Sequence, residues 1–169
     1  ADVMNCPARI VAFRPDMRDM LKTLRDSHVK GVYWHKAVAG ANDEAVAKAK
    51  VIAGKDYVIL VADVYGASVR PANGEEAGAA AKAAYADRVA LRARAARAVE
   101  ELKGQAGKAP LDVSQLGAIG FCFGGATCHM LASRLPYLAA AVPFYGSMIS
   151  AEEAAKIKAP LQLHFAETD

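Results

Sequence analysis

The strongest chemical signal in the chain is Gly120-Phe-Cys-Phe-Gly-Gly125. The order Gly120-x-Cys122-x-Gly124 is the nucleophile-elbow spacing G-x-S-x-G with cysteine in place of serine. A nucleophile in a strained turn between a strand and a helix brings the chain close to its neighbours, so the positions two before and two after must lack side chains. Such a turn points the thiol out of the sheet. It also sets the backbone N–H of Phe123 at a helix start, where an oxyanion is bound and a thiolate is favoured over a thiol.

Two other readings fit a cysteine among glycines: a buried structural cysteine, and a turn that holds phosphate. The dinucleotide fingerprint G-x-G-x-x-G fits Gly117, Gly120, Gly124 and Gly125 in no register, and no G-K-[ST] follows. Cys128, six residues on, falls inside an expected helix over Gly125–Ser133 and is read as structural. Three cysteines, Cys6, Cys122 and Cys128, make no disulfide framework, and a reducing, cytoplasmic compartment is expected.

The elements that must position Cys122 follow from the hydropathy pattern. Short apolar runs at Val29–Trp34, Tyr57–Ala62, Leu116–Phe121, Ala139–Tyr145 and Leu161–Phe165 are too continuous for half-exposed hairpins and predict buried parallel strands. Between them, Asp43–Ala53 has helical spacing, and Glu76–Lys103 reads as one long helix ended by Gly104 and Gly107. Ser68–Gly78 is expected to be a loop. Before Val29, Ile10–Phe13 predicts a short strand and Pro15–Arg25 a helix opened by Pro15. The pattern is an α/β fold, and with no linker or repeat to divide it, residues 1–169 are read as one domain.

The charge balance is a further constraint. A net charge of +3, with Lys and Arg interleaved with Asp and Glu, leaves no footprint for a phosphate backbone, so nucleic acid is not expected as a partner. Apolar runs fall short of the roughly 20 residues of a membrane helix. Neither a membrane nor a metal or organic cofactor is implied.

Further motifs share a pattern with the elbow: Ala62-Asp-Val-Tyr-Gly66, Val69-Arg-Pro71, Tyr85-Ala-Asp-Arg88, Val142-Pro-Phe-Tyr-Gly146 and the closing Ala159-Pro-Leu-Gln-Leu-His-Phe-Ala-Glu-Thr-Asp169. From about Gly31 to Asp169 the chain resembles the dienelactone hydrolase family. The resemblance implies an α/β-hydrolase fold, a mainly parallel sheet with helices on both faces. It also implies a Cys-His-Asp triad that opens a lactone or carboxylic ester through an acyl-enzyme. Cys122 would be the nucleophile and Asp169 the acid. Phe123 and Ala37 would give the oxyanion N–H groups, and Arg70 would hold a substrate carboxylate, with Lys36, Tyr85 and Tyr145 lining the pocket. The substrate is then a small lactone or ester, taken by a monomer or homodimer. For Asp169, Arg70 and the tyrosines, a solvated, loop or packing role is the competing reading.

Two departures from the family pattern stand out. The family has glutamate where this chain has Lys36, within His35-Lys-Ala-Val-Ala-Gly-Ala-Asn42. A lysine facing the thiol favours the thiolate at rest; a surface lysine with a buried stem is the alternative. The second departure is the histidine. The family's base follows the acid, whereas His28, His35, His129 and His164 all precede Asp169. His129 stands two helical turns from Cys122, about 10 Å along the axis. The last strand and closing helix of the fold are therefore expected to be missing after Asp169, with Leu161–Phe165 left as an edge. A degenerate hydrolase domain that binds a small acid or a protein partner is the rival reading.

Overall fold

The computed structural model describes residues 31–36, 43–54, 56–66, 68–147 and 149–165. The strand and helix expected before Val29 lie outside these residues, as do Ala37 and Asp169. Four strands, β1 (Gly31–Lys36), β2 (Val58–Val61), β3 (Leu116–Phe121) and β4 (Ala140–Phe144), make one parallel sheet in the order β2-β1-β3-β4. Among the described residues five helices accompany them: α1 (Asp43–Ala53), α2 (Gly74–Ala86), α3 (Arg88–Lys103), α4 (Phe123–Arg134) and the single turn α5 (Ala151–Ala154).

The apolar runs are continuous because both faces of the sheet are covered. Leu60, Leu116, Ala118 and Ala141 face one core with Leu91, Ala95, Val99 and Leu102 of α3 and Cys128, Leu131 and Ala132 of α4. Their alternates Ile59, Val61, Ile119 and Val142 face the other with Ala45, Ala49 and Ile52 of α1. Ile59, Leu102, Leu116 and Ile119 are the largest fully buried side chains, each worth about 1.5–3 kcal/mol of burial. This is the two-sided α/β architecture that the spacing of apolar runs predicts.

The chain leaves β1 over one face, through α1, to β2, and returns over the other, through α2 and α3, to β3 on the far side of β1. The connections therefore diverge between the carboxyl ends of β1 and β3. In open parallel sheets that crevice is where ligands bind.

Four expectations are corrected. β1 runs on to Lys36, two residues beyond the end its hydropathy predicts, because its register, Gly31↔Leu116 through Lys36↔Phe121, pairs it with all six residues of β3. The long helix over Glu76–Lys103 is two helices. Asp87 (φ −106°, ψ 71°) ends α2 by donating its N–H to Ala83 O, and opens α3 by accepting the Ala90 N–H on Oδ1 at 2.9 Å. The loop before α2 ends at Asn73, not Gly78, because Asn73 Oδ1 accepts the Glu76 N–H while Glu76 Oε2 accepts the Ala72 N–H, a reciprocal cap. Finally, Leu161–Phe165 joins the sheet only through parallel bridges of Leu161 and His164 to Ala141 and Phe144. Leu161, Leu163 and Phe165 are exposed along that edge.

Candidate active site

Cys122 is the hinge between β3 and α4. Its backbone sits at φ 54°, ψ −118°, a region that side-chain-bearing residues rarely adopt, and its side chain is exposed. Such a conformation costs about 1–3 kcal/mol and persists only where the surroundings impose it. Here they do. The Cys122 N–H donates to Phe144 O at 2.9 Å, tying the elbow to the end of β4. A Cβ on Gly120 would lie 1.9 Å from Gly124 O, and one on Gly146 would lie 2.3 Å from Gly125 C. The glycines of the motif are thus contact surfaces between backbones.

α4 begins at Phe123, two residues earlier than its composition predicts, so Cys122 occupies the cap position at the positive end of the helix dipole. The Phe123 ring is buried between two phenols, stacked on Tyr65 at 5.3 Å and meeting Tyr85 edge-on at 4.8 Å. Burial, then the negative charge of an ionised Cys122, push the Tyr65 hydroxyl up to about 12. Burial raises Tyr85 as well, opposed by its contact with Ser147 (Oγ at 3.4 Å) and reinforced by Cys122. Both phenols therefore stay protonated at neutral pH.

Arg70 is anchored. Its Nη1 lies 2.7 Å from Oδ2 of the buried Asp63 and donates to the carbonyls of Gly66 and Val69 at 2.8 Å. Asp63 Oδ1 accepts the N–H groups of Tyr65 and Gly66 and so fixes the turn that carries Tyr65. Tyr145 stands in a positive-φ conformation (38°) immediately after Phe144, its ring 6.2 Å from Phe121. The backbone of Lys36 closes β1 beside Phe121; its side chain, like that of His35, lies outside what is described. His28, Ala37 and Asp169 fall outside the described residues altogether.

The remaining histidines have structural settings. His129 is buried on α4, its Nδ1 3.3 Å from Ser147 O, and burial lowers its pKa from the ordinary value. His164 lies flat on Phe144, centroids 4.2 Å apart. Cys128 is fully buried, and desolvation pushes its thiol up to about 12. No group of histidine, cysteine and carboxylate side chains able to hold a metal occurs among the described residues.

Comparison with known proteins places this geometry in a family. The model of the dienelactone hydrolase family matches residues 17–169. The chain belongs to the dienelactone hydrolase family. Among curated relatives, a carboxymethylenebutenolidase homolog of Xenopus tropicalis is 40% identical over 57 residues, which is 34% of this chain and 23% of the frog protein. Among solved structures, a dienelactone hydrolase-like promiscuous phosphotriesterase from metagenomic libraries superposes with a TM-score of 0.71 at 28% identity, covering 96% of this chain and 70% of its own. An α/β-hydrolase enzyme from a deep-sea metagenome of the Medee basin shares the fold, with a TM-score of 0.53 at 14% identity over 98% of this chain and 77% of its own. Within the α/β-hydrolase fold these likenesses establish, motif reasoning did not single out Asp63, which pairs with Arg70, Tyr65, whose ionisation responds to Cys122, or Ser147, which meets Tyr85 and His129. Asp63 and Tyr65 lie inside the quoted Ala62–Gly66 motif. Their signal was a carboxylate directly after a buried strand.

Proposed function

We propose that this dienelactone hydrolase family member is a hydrolase of lactones or carboxylic esters that works through Cys122. The observation that carries the reading is the elbow itself: an exposed thiol held at a strained φ/ψ, at the start of a helix and at the switch point of the sheet. Strain of this kind is retained where a side chain must be presented. In the first step the Cys122 thiolate adds to the carbonyl carbon. The oxyanion accepts hydrogen bonds from the Phe123 N–H and a second N–H at Ala37. The carbon–oxygen bond then breaks, and the alcohol leaves with a proton. In the second step water adds to the thioester, releasing the carboxylic acid and the thiol. Asp169 is the acid of the triad, and none of His28, His35, His129 and His164 is assigned as the base of this second step. Arg70, fixed by Asp63, and the phenols Tyr85 and Tyr145 line the acyl pocket, and Lys36 supports the thiolate from the end of β1.

The experiment is acylation by 4-nitrophenyl acetate, followed by intact mass. One acetyl group per chain is expected, with its release slowed by about 10²–10⁴ wherever base assistance is absent. Cys122→Ala should abolish both the burst of nitrophenolate and the added mass. A Cys122→Ala protein that still hydrolyses the ester at the original rate overturns the reading. The same assay with an aryl phosphotriester tests the second substrate class suggested by the metagenomic relative's name.

A further inference from the structure

A cavity of about 530 Å³ lies between α3, α4, Ser147 and residues 149–156, and Cys122, Arg70 and Tyr145 do not line it. Its volume falls within the range of small-molecule sites. Leu91, Ala126 and Met130 give it an apolar floor. Its rim carries four cations, Arg88, Arg92, Arg134 and Lys156, against two carboxylates, Glu152 and Glu153.

The pairing within that rim is uneven. Lys156 is tied to Glu152 at 2.5 Å. Glu153 is shared, with Oε1 3.3 Å from Arg92 Nη2 and 3.9 Å from Arg134 Nη2. Two guanidinium groups thus divide one carboxylate. Arg88 has no ion pair among the described residues, and Arg92 Nε is a buried donor with no hydrogen-bond partner among them. The excess is two positive charges above an apolar floor, and a ligand that completes this arrangement carries two negative charges and a short apolar body. Guanidinium forks favour carboxylates.

We propose that this cavity, which Cys122 does not line, is a second binding site, for a small organic dicarboxylate. The Tyr85 ring edge meets Phe123 and its ionisation responds to Cys122, while it also lines the cavity. Glu153 acts as an internal competitor, a carboxylate already seated between Arg92 and Arg134, so that an arriving dianion displaces it and loosens the hold on the 149–156 segment.

The test is calorimetric titration of the whole chain with phthalate at low salt, with phthalamide as the uncharged control. Phthalate should bind and phthalamide should not, and binding should weaken as NaCl shortens the screening length. Arg88→Ala should weaken phthalate by about threefold and Arg88→Ala with Arg134→Ala by about tenfold, whereas Glu153→Gln should tighten it by about threefold. Binding should survive both Cys122→Ala and carbamidomethylation of Cys122, so its outcome is independent of whether Cys122 is the nucleophile. Equal binding of phthalate and phthalamide, indifference to the arginine substitutions, absence of binding at millimolar phthalate, or loss of binding on blocking Cys122 would each overturn it.

Discussion

The strain at Cys122 is a property of its backbone, and its size is measurable. The side chain is exposed, so shortening it removes little packing. Alanine keeps a Cβ and with it the cost of φ 54°, about 1–3 kcal/mol, whereas glycine adopts the same angles without it. Glycine also gives the unfolded chain more freedom, which offsets about 0.4–1 kcal/mol. The strain is the larger effect. Cys122→Gly should therefore be more stable than Cys122→Ala by about 1 kcal/mol, seen as a rise of about 2–4 °C in Tm for a chain of this size. Equal melting temperatures would mean that the elbow is relaxed and that its conformation says nothing about function. The strained turn at Cys122 and the need for Gly120 were legible in the sequence, because the glycine spacing of an elbow leaves room for little but a close approach of backbones. The tie from the Cys122 N–H to Phe144 O was not legible, since it joins residues 22 positions apart through the fold alone.

Among the elements, the continuous buried strands were the most readable. β3 has the bounds its apolar run predicts, and α1 coincides with Asp43–Ala53. The break in the long helix was hidden because helix propensity is high on both sides and a single aspartate is a weak signal against it. At Asp87 the structure resolves the conflict in favour of two axes, which lets Ala84 of α2 and Leu91 of α3 reach the same core. The Asp87 carboxylate accepts the Ala90 N–H at 2.9 Å, so it holds the start of α3. Asp87→Ala should cost about 1 kcal/mol, measured as a lowered urea midpoint with unchanged slope, and Asp87→Asn should recover most of it. If alanine and asparagine behave alike, the break is set by packing and not by the cap.

For the molecule as a whole, the order of the strands decides where chemistry gathers. Cys122 follows β3, Lys36 ends β1, and Tyr65 and Arg70 follow β2, so residues far apart in the chain meet at one edge. Alternating strands and helices made that architecture legible; the pairing of Arg70 with Asp63 and the cavity beside α4 depend on side-chain contacts that no periodicity encodes. The loop after β4 ties α2 to α4. Its Ser147 meets Tyr85 through Oγ and His129 through its carbonyl. Burial holds His129 below its ordinary pKa, so the unfolded chain, with a value near 6.5, binds this proton more readily than the folded one. The sign follows directly. The contribution of His129 to stability is fully present above about pH 6.5 and is lost as pH falls through that value toward its lowered folded value. His129→Asn keeps a donor for the Ser147 carbonyl and carries no proton to gain. Urea midpoints from pH 8 down to 5 should therefore fall more steeply for the natural chain than for His129→Asn, with the difference opening below about pH 6.5. Parallel curves would show that His129 titrates alike in both states and that the loop after β4 gives way before the ring is protonated.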